Sequence, residues 1–148
     1  MRDGTIRRVE GFRYVNAQEV TFRDLDAFGH VNNAVYLTYL ETARVKYMRD
    51  VLGVESLSNL LVIVASIQID FRSRASLGEV LEVGSRVARV GGKSFDLDHE
   101  IRGAGGRLVA EAHTVLVAFD YAQDGPMNVP AEWRDRIEEF EARSFAAA

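Results

Sequence analysis

The chain has 148 residues, of which 47% are hydrophobic and 27% charged, with a formal net charge of −4. That is enough for one domain with a real core, expected over residues 1–148, and too little for two comfortable ones. The mild negative charge excludes bulk attraction to nucleic acid or anionic lipid, and the absence of cysteine excludes disulfides, thiolate metal sites and a cysteine nucleophile.

From the N-terminus, Met1-Arg2-Asp3-Gly4 lacks the apolar core of a signal peptide. No apolar run approaches the roughly 18 residues of a membrane span. A cytoplasmic protein without membrane or nucleic-acid partners is expected. Residues 12–22 read as a strand with Val15 and Val20 as β-branched markers. Residues 33–52 read as a helix, because Tyr36, Leu40, Ala43, Tyr47 and Val51 recur at spacings of three and four. Asn32 or Asn33 suits the N-cap, and Gly53 suits the position just past the helix end.

Residues 60–65 are continuously apolar, and Ile67, Ile69 and Phe71 then alternate with polar residues. Leu77-Gly78-Glu79 reads as a turn, residues 80–90 as a valine-rich strand, and Gly91-Gly92 as a hairpin. Phe95, Leu97, His99 and Ile101 alternate with polar neighbours, a half-buried strand. Residues 103–106 turn the chain into a long final strand over residues 108–121. Pro130 suits the first position of a short helix over about 130–143, on which Trp133, Ile137 and Phe140 form one stripe. The order is strand, helix, four strands, helix. Short turns predict that the four strands form an antiparallel meander packed on the long helix.

The richest stretch is Asp24-Leu25-Asp26-Ala27-Phe28-Gly29-His30-Val31-Asn32-Asn33. It sets two carboxylates, an imidazole and two amides at the mouth of the long helix. There, free N–H groups and the positive end of the dipole can meet a developing negative charge. From residue types alone, Asp26 is first a turn residue bonding its own backbone. Gly29 serves a positive-φ turn or close approach of a ligand, and Asn32 and Asn33 serve as caps or contacts.

The segment from Asp26 through Gly29-His30-Val31-Asn32-Asn33 to Tyr36, running on to Tyr39-Leu40-Glu41, resembles the signature of hotdog-fold acyl-CoA thioesterases of the 4-hydroxybenzoyl-CoA thioesterase type. The strand-helix-strand order resembles it as well, over residues 12–121. The resemblance implies an α+β hotdog fold, with a long central helix wrapped by a five-stranded antiparallel sheet, plus here a short C-terminal helix. It implies an acyl-CoA substrate, with an acyl-carrier-protein donor open beside it, no cofactor, and a homodimer or homotetramer with sites between protomers. Asp26 then becomes the catalytic carboxylate, as general base or nucleophile, and the N–H near Asn33 polarises the thioester carbonyl. The related plant acyl-carrier thioesterases carry an amide at the position of Phe28, so His30 assists here or is structural. Gly29, Tyr36 and Glu41 are candidate substrate contacts.

Other residues read more simply. Asp24 is a solvated or structural residue, Glu41 and Arg44 form a local ion pair, and His99 and His113 are core histidines. Three scattered histidines make a zinc site improbable. Arg72, Arg74, Arg89 and Lys93 are solvated charges or phosphate contacts. Two other readings of the whole chain are a non-catalytic acyl-CoA binding module and a hotdog hydratase or dehydratase.

Overall fold

The computed structural model describes residues 9–145. Five strands, β1 (Tyr14–Glu19), β2 (Val62–Phe71), β3 (Val80–Val90), β4 (Ser94–Arg102) and β5 (Leu108–Asp120), pair antiparallel in the order β1-β3-β4-β5-β2. The sheet curls about one long helix, α1 (Asn33–Asp50). A two-residue strand, β6 (Gly125–Pro126), returns along β5, and a short helix, α2 (Ala131–Glu141), follows. The α+β hotdog architecture is the one expected.

Helix α1 begins where a side chain satisfies its free donors: Asn32 Oδ1 accepts the Ala34 N–H at 2.8 Å. It buries Tyr36, Tyr39, Leu40, Ala43, Tyr47 and Met48 on the sheet side. Gly53 turns the chain at φ +75°, and the Val54 N–H returns to Met48 O at 3.1 Å. The helix therefore ends at Asp50 rather than Leu52, with Val51 and Leu52 spent on the turn. Beyond it, Trp133 of α2 meets Phe95 edge-on at 6.1 Å, and Tyr47 donates to Glu141 Oε2 at 2.6 Å. Pro130 stands just before α2 rather than inside it.

Two sequence expectations about strands need correction. The first strand covers only Tyr14–Glu19, because Thr21 and Asp24 cap a 3-10 turn over Phe22–Asp24. The four later strands are not one meander: β3, β4 and β5 are, but β2 pairs with β5 at the far edge. The Leu77-Gly78-Glu79 turn bonds to the end of β1 instead, with Gly78 N–H on Val20 O at 3.0 Å and Val20 N–H on Glu79 O at 2.9 Å. Residues 72–79 thus form a crossover beneath one end of the helix.

The inner face of the sheet is mainly apolar, with Ser85, His99 and Thr114 buried among its hydrophobic residues, and the outer face carries ion pairs such as Arg86–Asp98 and Arg89–Asp96. On β3, Gly84 faces outward beneath Phe12. A Cβ there would stand 2.8 Å from the Phe12 ring and 2.7 Å from Val9. His99 faces inward, with Nδ1 3.0 Å from Ser85 Oγ and 3.3 Å from Gly84 O. Burial lowers its pKa to about 4, so the ring is neutral. His113 is not a core histidine. It falls on the outer face of β5, its ring nitrogens 2.7 Å from Asp98 Oδ1 and 3.0 Å from Asp96 Oδ2. The alternate residues Ala110, Thr114 and Leu116 take the buried positions.

The Asp98 hydrogen bond chiefly, and that of Asp96, raise the His113 pKa despite some desolvation. A raised folded-state pKa stabilises fully below the unfolded value of about 6.5 and is lost as pH rises through the folded value. Wild type is expected to exceed His113→Gln in urea midpoint at pH 6, with the gap closing by pH 9. A gap that widens with pH would show that no imidazolium is held there.

Candidate active site

The residues between the 3-10 turn and α1 close on themselves. Leu25 and Val31 form an antiparallel bridge, Asp26 N–H donates to His30 O at 2.8 Å, and Gly29 N–H donates to Asp26 O at 3.1 Å. Gly29 makes the reversal possible at φ +82°, a conformation that L side chains rarely adopt, and no atom lies within 4 Å of where its Cβ would be. The Asp26 carboxylate stitches the same turn, its Oδ1 accepting Phe28 N–H at 2.9 Å and His30 N–H at 3.2 Å. These bonds, His30 first and Phe28 second, hold the exposed carboxyl below its ordinary pKa. Asp26 is therefore a turn residue through one oxygen and an ionised carboxylate at neutral pH, with Oδ2 outside that pair of bonds.

The turn is anchored on both sides. Asn32 N–H donates to Asp24 O at 2.9 Å, and Val31 N–H donates to Ala75 O at 3.0 Å on the crossover. His30 bridges to Ser76. Glu79 braces the crossover by accepting from Ser76 N–H, Ala104 N–H and Arg107, whose guanidinium also reaches Ser73 Oγ and Arg74 O.

Turn, helix start and crossover enclose a cavity of about 320 Å³. Asp26, His30 and Asn33 line it from one side, Tyr36 and Phe71 form an aromatic wall with ring centroids 5.6 Å apart, and Arg72, Ser73 and Arg74 close the far side. Asn33 is the first residue of α1, where the backbone N–H has no intrahelical acceptor. Arg72 is paired with Glu111 at 2.8 Å, whereas Arg74 makes no ion pair among the described residues.

Four of the six residues singled out from the sequence, Asp26, His30, Asn33 and Tyr36, thus meet at one cavity. The other two lie elsewhere. Gly29 shapes the turn without lining the cavity, and Glu41 lines a different one farther along α1, 3.9 Å from Arg44. Phe28 points away from the cavity and is 83% exposed. Asp24 is structural: Oδ2 accepts Thr21 N–H at 2.9 Å, Thr21 Oγ1 at 3.1 Å and Tyr39 OH at 2.7 Å. Desolvation works against its charge, but these donors leave its pKa lowered. Sequence reasoning missed Ser73. Nothing in the local pattern marks it, since it reaches the cavity only through the crossover.

Fold and family define the protein as a thioester hydrolase of the hotdog type. Residues 20–138 match the thioesterase-like superfamily, and the chain belongs to it. It is 30% identical over 118 residues to the long-chain acyl-CoA thioesterase FadM of Escherichia coli, covering 78% of this chain and 89% of that one. A thioesterase from Thermus thermophilus, solved in complex with coenzyme A and Zn, superposes with a TM-score of 0.83 at 34% identity, over 93% of this chain and 100% of that one. A thioesterase-superfamily structure from a Jannaschia species has a TM-score of 0.85 over 99% of this chain and 96% of its own, but at 20% identity it speaks for the fold alone.

The two aspartates of the segment are expected to separate by experiment. Asp24→Ala removes the oxygen that accepts from three donors and should lower stability by about 1–3 kcal/mol, read as a drop in thermal midpoint. Tyr39→Phe should reproduce part of it. An unchanged midpoint in Asp24→Ala would refute the structural assignment.

Proposed function

We propose that the protein is an acyl-CoA thioesterase working at the Asp26 cavity. The observation that carries the reading is an ionised carboxylate held by its own turn beside the open N-terminus of α1, in one cavity with two arginines. The thioester carbonyl sits against the Asn33 N–H, where the helix end stabilises the oxyanion. Asp26 either takes a proton from the attacking water or attacks the carbonyl itself to give a mixed anhydride that water then opens. The C–S bond breaks, and the thiolate of coenzyme A leaves. Tyr36 and Phe71 flank the acyl group. Arg74, with Arg72, faces the phosphates of the carrier. FadM, by its name, acts on long-chain acyl-CoA, and the Thermus structure contains coenzyme A. Both support this substrate class.

The working unit is a homo-oligomer, at least a dimer. Strand β2 is a free sheet edge, and its Ile63, Val64 and Phe71 are 43%, 38% and 43% exposed. A second copy that pairs or packs there removes both liabilities. It also closes the side of the cavity formed by Phe71.

Free-thiol release from an acyl-CoA panel tests the activity. A binding module releases none, and a hydratase alters the acyl chain without releasing thiol. Asp26→Asn, folded by circular dichroism, is expected to lose about 10²–10⁴-fold in kcat. His30→Ala is expected to lose less, because Phe28 supplies no amide partner to the imidazole. Wild-type kcat in Asp26→Asn would refute the assignment, and equal losses would make His30 a primary catalyst. Specific activity should also fall on dilution as light scattering reports dissociation. A fully active monomer would overturn the oligomeric reading.

A further inference from the structure

A second cavity, of about 250 Å³, opens farther along α1. It shares α1 and β2 with the first and adds Leu60 and Tyr121. Helix α1 gives Glu41, Arg44, Val45 and Met48, and β2 gives Val62 and Val64. The first cavity takes Asn33 and Tyr36 from the start of that helix and Phe71 from the other end of that strand. Asn33 and Arg44 are separated along the helix by about 16 Å at ~1.5 Å per residue.

The second cavity is mainly apolar; its polar side chains are Arg44, Glu41 and Tyr121, whose hydroxyl donates to Val62 O at 2.7 Å. The Arg44 side chain is only 10% exposed, and its Nη1 is buried with no hydrogen-bond partner. Nη2 has one loose contact, 3.9 Å from a Glu41 carboxylate that is itself 64% exposed. Farther in, Thr114 Oγ1 and His99 Nε2 are likewise buried without partners on the helix-facing side of the sheet. A buried guanidinium N–H left unbonded keeps its full desolvation penalty. Of these atoms only Arg44 Nη1 belongs to a residue that lines the cavity, and it marks a place where a polar group of a ligand can be received.

Resting on the assignment of the first cavity as the thioester site, we propose that the second cavity receives the distal end of a long acyl chain, and that Arg44 selects chains bearing a neutral oxygen, a hydroxyl or carbonyl, at that end. Charge decides against a distal carboxylate. Glu41 already offsets the guanidinium, so a second anion would meet it at the mouth, whereas one neutral acceptor satisfies Nη1 without adding charge. Length decides against short aryl groups. The distance along α1 from Asn33 to Arg44 matches an extended chain of about 12 carbons.

The test compares hydrolysis of dodecanoyl-CoA and 12-hydroxydodecanoyl-CoA. For wild type, kcat/KM for the hydroxylated ester is expected to be about tenfold the higher, carried mainly by KM, as one hydrogen bond to a charged donor implies. In Arg44→Met the preference should disappear or reverse, and in Arg44→Lys it should survive in part. Calorimetric binding of the free acids, dodecanoic against 12-hydroxydodecanoic, to wild-type protein gives a second readout that needs neither turnover nor a folded variant. Equal or inverted preference in wild type by either readout overturns the proposal, as does a preference that persists in Arg44→Met. If neither ester is hydrolysed, the thioesterase reading fails, and tighter binding of the hydroxylated acid still supports the cavity assignment. Absence of binding by both acids would overturn the cavity assignment.

Discussion

The main-chain bond from Val31 N–H to Ala75 O, with the bridge beside it between His30 and Ser76, is the constraint on which the site depends. It ties the turn carrying Asp26 to the crossover between β2 and β3. Without it the turn would be an exposed loop at a helix start, free to move relative to Arg72, Ser73 and Arg74. With it, residues far apart in sequence face one another across a fixed space. The crossover is itself braced by Glu79 and Arg107, so an ion pair at the sheet end reaches the site through the crossover backbone and the Ser73 hydroxyl. Preorganisation of this kind lets a carboxylate and a helix end keep their spacing without help from the ligand.

Much of this was legible from local pattern. The long helix followed from its apolar spacing and from Asn32. The β3–β4 hairpin followed from Gly91-Gly92, and β4 from its strict alternation. The place of β2 was not legible, because a short turn says that the chain reverses and not which strand it then pairs with. A bulge adds to the difficulty. The register between β2 and β5 shifts between Val64 and Ser66, so Val62 and Val64 face inward before it and Ile67, Ile69 and Phe71 after it. A continuous apolar run followed by alternation is what that phase change looks like in sequence. His113 was misplaced for a related reason: β5 carries small or apolar residues on both faces, which hides its phase.

At the site, the compact ten-residue segment made Asp26, His30 and Asn33 visible, because one helix start gathers them. The separation of roles between the two aspartates was not visible. Both sit in polar turns, and only the Tyr39 hydroxyl on Asp24 shows which one is committed to holding the helix. Glu41 was visible as a mid-helix acid, but periodicity does not say which cavity a helix face overlooks. The turn function and the proposed chemical function of Asp26 are compatible, since the two backbone bonds both fall on Oδ1.

The turn is defined by main-chain bonds together with Asp26 and Gly29, so the side chain of Phe28 contributes little to its shape and stands almost wholly in solvent. The chain also contains no cysteine. Together these make Phe28→Cys a unique attachment point, two residues from Asp26, for a fluorophore or spin label. A probe there would watch ligands arrive and leave in real time on an otherwise thiol-free background.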